Sequence, residues 1–310
     1  MARAIAAQGE TEEAARLARS AEPAESCRIW LAAQRHGLYE GRWSLVVRGQ
    51  ARQQSVRMTA TPKLSLIVIT KNEEAAIARC LGSVSFADEI IVVDSGSTDA
   101  TVDIARSFGA EVIVTTDWPG FGPQKARALE RARGEWVLSL DADEWLDAEA
   151  VTPLKAAVAA ADAPAAYRMS RRSRFCGSVI RHSGWSPDYV TRLFRRGQAR
   201  FSDDLVHERV IVDGEVRTAS FRIEHDSITS RADAEDKIVR YSTAAAQQMF
   251  SRGRRAGAMQ ALLHGSAAFI KTFVLRAGFL DGAAGWHVAD YNCRYAYEKW
   301  RRLAELSRHA

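Results

Sequence analysis

Three short segments, "LSLIVIT" (64–70), "EIIVVD" (89–94) and "EWVLSL" (135–140), are nearly unbroken runs of β-branched and other apolar residues. A strand that is apolar on both faces cannot lie at a surface. It needs cover on two sides, which is the condition of inner strands in a parallel sheet. Between these runs the period changes to that of amphipathic helices. Helices are predicted over 74–83, over a segment with Thr101, Ile104, Ala105 and Phe108 at i, i+3, i+4, i+7 that stops at Gly109, and over about 124–133 before Gly134. With a further strand at "EVIVTT" (111–116), the alternation predicts an α/β fold: a Rossmann-like, mostly parallel sheet flanked by helices.

Each strand ends in polar residues: "TKNEE" (70–74), "DSGSTD" (94–99) and "DADE" (141–144). Ligands in open α/β sheets bind beyond the carboxyl ends of strands, so Thr70, Asn72, Glu73, Asp94, Ser95, Asp141 and Asp143 are expected on one rim. Carboxylates gathered at a sheet edge call for a cation. Asp141 and Asp143, one residue apart, can both turn toward Mg2+ or Mn2+ and leave positions open for phosphate oxygens. The plain alternative is a solvated turn in which Asp147 caps the next helix. The small-residue turn Ser95–Gly96–Ser97 leads into a helix N-terminus, where amides favour an anion, or else it is an ordinary turn capped by Ser97 or Asp99. "GFGPQK" brings Lys125 just ahead of the fourth strand.

Beyond Ala161 shorter strands are predicted at 166–169, 189–195, 206–212 and 216–223, an antiparallel annex to the sheet, followed by a helix from Ser230. Residues 1–61 are rich in Ala and Arg without sustained periodicity, and are expected to form a weakly structured extension. Met58, just ahead of the first strand, is a candidate native start. The expected division is an extension at 1–61, a sheet domain at 62–225 and a helical tail at 226–310.

The formal net charge is +5, yet residues 251–310 hold ten Lys/Arg and four Asp/Glu, so the surplus sits in the tail. The tail's aromatics (Phe269, Phe273, Phe279, Trp286, Tyr291, Tyr295, Tyr297, Trp300) and its basic residues Arg252, Arg254, Arg255, Arg301 and Arg302 suggest an anionic surface partner, membrane or nucleic acid. For Tyr291 and Tyr295 a core role is expected instead. An acidic rim counts against nucleic acid. The four cysteines contain no C-x-x-C, which suggests neither zinc nor disulfides and makes a reducing cytoplasm the default. No run of eighteen apolar residues occurs. The nearest, 256–270, contains His264 and is expected to be too short to span a bilayer. From Arg168 to Arg200 nine arginines accompany one acid, Asp188, a composition suited to phosphate and carboxylate groups.

The run "LSLIVITKNEEAAIARCLGSV…EIIVVDSGSTDATVDIARSFGAEV…GEWVLSLDADEWL" resembles the nucleotide-sugar half of family 2 glycosyltransferases with the GT-A fold. Through "SGWSPDYVTRLFRR", "LVHERV", "IEHDSI", "KIVRYS" and "GFLDG" the chain is most similar to bacterial lipopolysaccharide core glucosyltransferases. The resemblance implies that Glu73 and Asp94 hold the nucleoside, that Asp141 lies on the ribose or metal side, and that Asp143 ligates the metal. It also implies that Lys125 assists base or pyrophosphate. His225 falls where many such enzymes place a metal-bound histidine, although it and His207 are equally readable as packed residues. Glu208 of "FSDDLVHERV" matches the catalytic base, with Asp204 as second candidate. The implied activity is metal-dependent, inverting transfer of a hexose, glucose from UDP-glucose, to a heptose of the lipopolysaccharide inner core. The enzyme is then expected in the cytoplasm, peripherally attached to the inner membrane, with a lipid-linked saccharide as acceptor. A polyprenyl-phosphate acceptor, a non-catalytic sugar-nucleotide binder and a nucleic-acid binder are the alternatives.

Overall fold

The structure, a computed structural model, describes residues 63–202 and 208–308. The expectations for residues 1–61, Asp204 and His207 lie outside these residues.

Strand β1 (Leu64–Thr70) leads to α1 (Ile77–Ser83), β2 (Glu89–Asp94), α2 (Thr101–Ser107), β3 (Glu111–Val114), α3 (Phe121–Arg131), β4 (Trp136–Asp141), β5 (Glu144–Leu146) and α4 (Ala148–Ala159). Then come β6 (Ala166–Phe175), β7 (Ser178–Val179), β8 (Tyr189–Arg195), β9 (Ala199–Phe201), β10 (Val210–Val212) and β11 (Val216–Ile228). Helix α5 (Arg231–Ser251), α6 (Ala258–Ile270), a π turn (Lys271–Leu275), a 3-10 turn (Gly278–Asp281) and α7 (Gly282–Arg308) complete the described chain. The main sheet runs β3-β2-β1-β4-β8-β6-β11-β5, with β7 on β6 and a separate antiparallel pair β9-β10. Strands β1 to β4 pair in parallel, as their unbroken apolar runs require.

Alternation along the strands divides the core. Leu66, Val68, Leu138 and Leu140 pack with Ile77 and Leu81 of α1 on one face, whereas Ile67, Ile69 and Val137 pack with Ala128 and Ala132 of α3 on the other. Each such aliphatic side chain contributes roughly 1.5–3 kcal/mol on burial. Register then aligns the polar ends: Thr70 lies opposite Asp94, and Ile69 opposite Asp141.

Several element ends depart from the periodic reading. Helix α1 begins at Ile77 rather than residue 74 because the Glu73 and Glu74 amides donate to Thr101 Oγ1 and Asp99 Oδ2 across the rim. Helix α3 begins earlier, at Phe121, after Gly120 at φ 113°. Pro123 falls in its first turn, where no intrahelical amide bond is lost. Strands β6 and β11, ten and thirteen residues long, extend well past their predicted ends and join the main sheet, so only β9-β10 forms a separate antiparallel pair among the described residues.

The tail corrects two readings. Helix α6 continues through Lys271 into the π turn, so 258–275 is long and apolar enough, at a mean hydropathy of 1.2, to cross a membrane by length and composition. Arg301 and Arg302 are engaged with Glu298, and Arg301 also with Glu305, rather than presented outward. Tyr291 packs edge-on to Phe175 at 6.1 Å, as part of a cluster with Ile180, Ile228 and Val288.

Candidate active site

The turn after β2 is closed by its own carboxylate. Asp94 is fully buried: Oδ1 accepts from the amides of Gly96 (2.9 Å) and Ser97 (2.8 Å), and Oδ2 accepts from the Ser97 hydroxyl. The Thr98 amide donates to Asn72 Oδ1 at 2.8 Å. The amides expected to cradle an anion are therefore already bonded, and Asp94 presents no free oxygen to a ligand in this arrangement. Its carboxylate instead holds the turn that carries Ser95, and Ser95 Oγ accepts from Gln124 Nε2 at 3.0 Å. Gln124, fully buried on α3, also donates to Thr115 Oγ1 and was not singled out by the sequence. Thr70 Oγ1 is buried at the end of β1 without a hydrogen-bond partner. An orphaned hydroxyl there suits a bound polar ligand.

Asp143 and His225 meet in the next layer of the rim. The register of β11 against β5 sets His225 opposite Glu144, and its Nε2 stands 3.4 Å from Asp143 Oδ2. Ser173 Oγ lies 3.1 Å from Nδ1, which fixes the ring with Nε2 toward the carboxylate. Glu73 borders this pair. Burial, and then the Asp143 charge, push its carboxyl up to about 7. An oxygen and an imidazole nitrogen, beside a Glu73 carboxyl raised by burial and then by the Asp143 charge, fit Mn2+ or Mg2+ in character. Among the described residues no group of three or more His, Cys, Asp or Glu forms a complete metal cage. A metal held by Asp143 and His225 would thus take its remaining ligands from diphosphate and water.

Asp141 has a different environment. Its Oδ1 lies 2.7 Å from Lys125 Nζ and its Oδ2 2.5 Å from Arg192 Nη2. Both oxygens are matched to cations, which leaves none free for metal as placed. Burial alone would raise this carboxyl, but Arg192 and then Lys125 outweigh it and hold it well below the usual carboxylate range. Lys125, only 1% exposed, also reaches Glu208 Oε1 at 2.5 Å, and Arg192 Nη1 stands 3.9 Å from the same oxygen. Arg192 further donates to the fully buried Glu144 at 3.0 Å, whose other oxygen accepts from the Asp141 amide. Arg171 closes the network, bridging Glu144 (3.1 Å) and Asp188 (2.7 Å). The sequence flagged Lys125 and Glu208 separately and offered Arg192 or Arg209 as a plain ion-pair partner for Glu208; the Lys125–Glu208 contact, and the burial of Arg192 between Asp141 and Glu144, emerge only from the fold.

Asp147 precedes α4 with no side-chain cap bond and pairs with Arg172 at 3.1 Å. Most arginines of the arginine-rich stretch are also engaged with other parts of the chain. Arg172 and Arg174 pair with the buried Glu224, Arg195 with Glu135, and Arg200 with Asp213, while Arg196 donates to the Gly134 carbonyl and Arg168 to Thr218. Arg168, Arg181, Arg196 and Arg200 remain exposed, whereas the others are tied to carboxylates of other segments.

Residues 65–211 match the glycosyl transferase family 2 model. The chain is 31% identical to an uncharacterized glycosyltransferase of Rickettsia prowazekii, over 79% of this chain and 86% of that one. It is 30% identical to the lipopolysaccharide core biosynthesis glycosyltransferase LpsC of Rhizobium meliloti, over 76% and 89%. The solved structure of S. aureus TarS 1–349 in complex with UDP-GlcNAc is similar over 80% of this chain and 92% of that one, at 16% identity and a TM-score of 0.40, too distant to support an inference.

Proposed function

Because the chain belongs to glycosyl transferase family 2, we propose that this nucleotide-sugar glycosyltransferase moves glucose from UDP-glucose to a heptose of the lipopolysaccharide inner core with inversion. The observation that carries the reading is the pairing, on one rim, of the open Asp143–His225 set with the buried Lys125–Glu208 contact. The lipopolysaccharide acceptor is supported by the likeness to LpsC.

In this reading Asp143 and His225 hold a divalent cation, which when bound offsets the charge of the departing diphosphate. Thr70, Asn72, Glu73 and Ser95 border the nucleoside, and Asp94 shapes their turn. Glu208 takes the proton of the attacking hydroxyl on the face opposite the leaving group, as inversion requires. Lys125, in contact with that carboxylate, and Arg192 beside it hold it in place, and so serve as positioning residues. The Glu208 side chain is 12% exposed, so it is not sealed from an incoming acceptor.

A membrane-borne acceptor calls for an enzyme that comes to the lipid surface, and α6 supports this. Its polarity is inverted: the residues facing inward are Ala261 and Gly265, while Met259, Leu262, Leu263 and Ile270 are 52–70% exposed. Arg252, Arg254 and Arg255, all exposed, stand just ahead of it. An aliphatic face beside cations matches the headgroup boundary of an anionic bilayer.

The test is a transfer and hydrolysis screen of several nucleotide sugars with Mn2+ or Mg2+, using wild type, Asp143→Ala and Glu208→Gln. Asp143→Ala should weaken UDP binding and metal activation. Glu208→Gln should keep UDP affinity and lose turnover by about 100-fold or more. Wild-type turnover in both variants would refute the assignment.

A further inference from the structure

Most arginines of the annex have carboxylate partners, and a second group of cations gathers in the tail. A cavity of about 370 Å3 opens between the β7–β8 loop and the tail helices, lined in part by Lys271, Arg276 and Lys299. Among the described residues none of the three forms an ion pair, and no acidic side chain lines the space. The volume is that of small-ligand pockets, and it shares no residue with the Asp141–Asp143 corner.

The local sequence explains why the space exists. Ala268 on α6 and Ala296 on α7 are too small to fill the gap between the helices, and the π turn starting at Lys271 swings Lys271 and Arg276 around it. Across the gap Ser183 and Gly184, both at positive φ, bend the loop so that Trp185 joins the wall. The Ser183 amide is tied to the Arg276 carbonyl at 2.9 Å, and Asn292 Nδ2 donates to the buried Thr272 Oγ1 at 3.1 Å, so the wall is held in place.

Lys299 stands 5.1 Å from the Tyr295 ring, and burial, with Arg254 second, lowers its ammonium from the usual lysine value. Three like charges around one space repel one another and are relieved when an anion sits among them; the carboxylate of Asp281, which borders the wall at Ser183, is turned to His182 and the Ser183 hydroxyl and lies outside the lining. Trp185 and Tyr295 add aromatic surface of the kind that covers the apolar face of a sugar ring.

We propose that this cavity binds the phosphate of a phosphorylated saccharide, with Lys271, Arg276 and Lys299 on the anion and Trp185 and Tyr295 against the ring. The proposal rests on the reading of the acceptor as a core saccharide and names its charge: the acceptor carries a phosphate remote from the hydroxyl that is glycosylated.

The experiment is calorimetric titration of the full chain, saturated with UDP and Mn2+, with glucose 6-phosphate, glucose and inorganic phosphate in turn. Glucose 6-phosphate should bind, and bind about tenfold or more weakly in Lys271→Ala and in Lys299→Gln. Arg231→Ala, an exposed charge removed elsewhere, should leave its affinity unchanged, and glucose should give no heat. A UDP isotherm for each variant checks that it is folded, and exposed Lys271 can be removed without disturbing the core. Equal affinity for phosphate and glucose 6-phosphate would refute the saccharide part. No binding of glucose 6-phosphate, equal binding in the lysine variants, or loss of binding in Asp143→Ala would refute the site. Binding lost in the lysine variants of a protein that transfers no glucose would sink the glucosyl-transfer reading and leave this cavity standing.

Discussion

Replacing Lys125 with Met removes one ammonium from between two carboxylates while keeping the length of the buried stem. At 2.7 Å from Asp141, an effective dielectric near 20 gives an attraction of about 6 kcal/mol before desolvation. Removing the lysine also removes the cost of burying its own charge, and Arg192 stays 2.5 Å from Asp141 and 3.9 Å from Glu208. Breaking a buried pair costs about 3–5 kcal/mol. With Arg192 still present, the lower end, about 3 kcal/mol, is expected, or about 6–12 °C in Tm for a domain of this size. Urea unfolding followed by circular dichroism measures it. The pH dependence carries the sign. Asp141 has a depressed pKa, so its contribution is full above the unfolded value of about 4 and is lost as pH falls below it. The gap between wild type and Lys125→Met should therefore be full at pH 7 and narrow toward pH 3. A loss under about 1 kcal/mol, or a gap independent of pH, would show that Lys125 does not hold these carboxylates.

Two further outcomes follow from the rim and the tail. Glu73 keeps its proton in the folded chain up to about pH 7, against 4.5 ordinarily. Stability should fall as pH rises from 4.5 to 7, by about 3 kcal/mol unscreened and about 2 kcal/mol after solvent screening at this partly exposed site, and Glu73→Gln should abolish that slope in denaturation series; an unchanged slope contradicts the assignment. Full-length protein should co-float with vesicles containing phosphatidylglycerol, and the pair Leu262→Ser, Leu263→Ser should reduce the bound fraction several-fold. Concentration-dependent dimerisation lost in the same pair, without flotation, would instead give the α6 face to a second copy.

The parallel half of the sheet was legible because each inner strand must be apolar on both faces, so "LSLIVIT" and "EIIVVD" reveal their place without any partner being known. The rim was legible for a related reason: a strand that ends in Asp94 or Asp141 needs polar partners there, which the chain supplies as turn amides for the first and as cations for the second. What the periodic pattern hides is the lengths of β6 and β11, whose alternating charged residues read as loops until the neighbouring strand is in place. The helical tail was legible as helix and as a basic segment, but not the face it exposes, since Leu262 and Ala261 are adjacent in sequence and opposite in burial.

Apart from the i,i+3 and i,i+4 pairs along the helices, charge pairing belongs to the tertiary structure. By itself the sequence determined which strands are buried, which turns carry carboxylates and that cations are plentiful between Arg168 and Arg200. Only the fold decided that Arg192 would meet Asp141, that Arg172 would meet Glu224, and that Lys125 would meet Glu208 across 83 residues of chain. The physical reason is range. Hydrophobic periodicity is a local property repeated every two or four residues. An ion pair depends on a few ångströms between side chains whose separation is set by register and crossover connections. The same distinction leaves Lys271, Arg276 and Lys299 around one cavity without carboxylate partners among the described residues, a fact no count of charges contains.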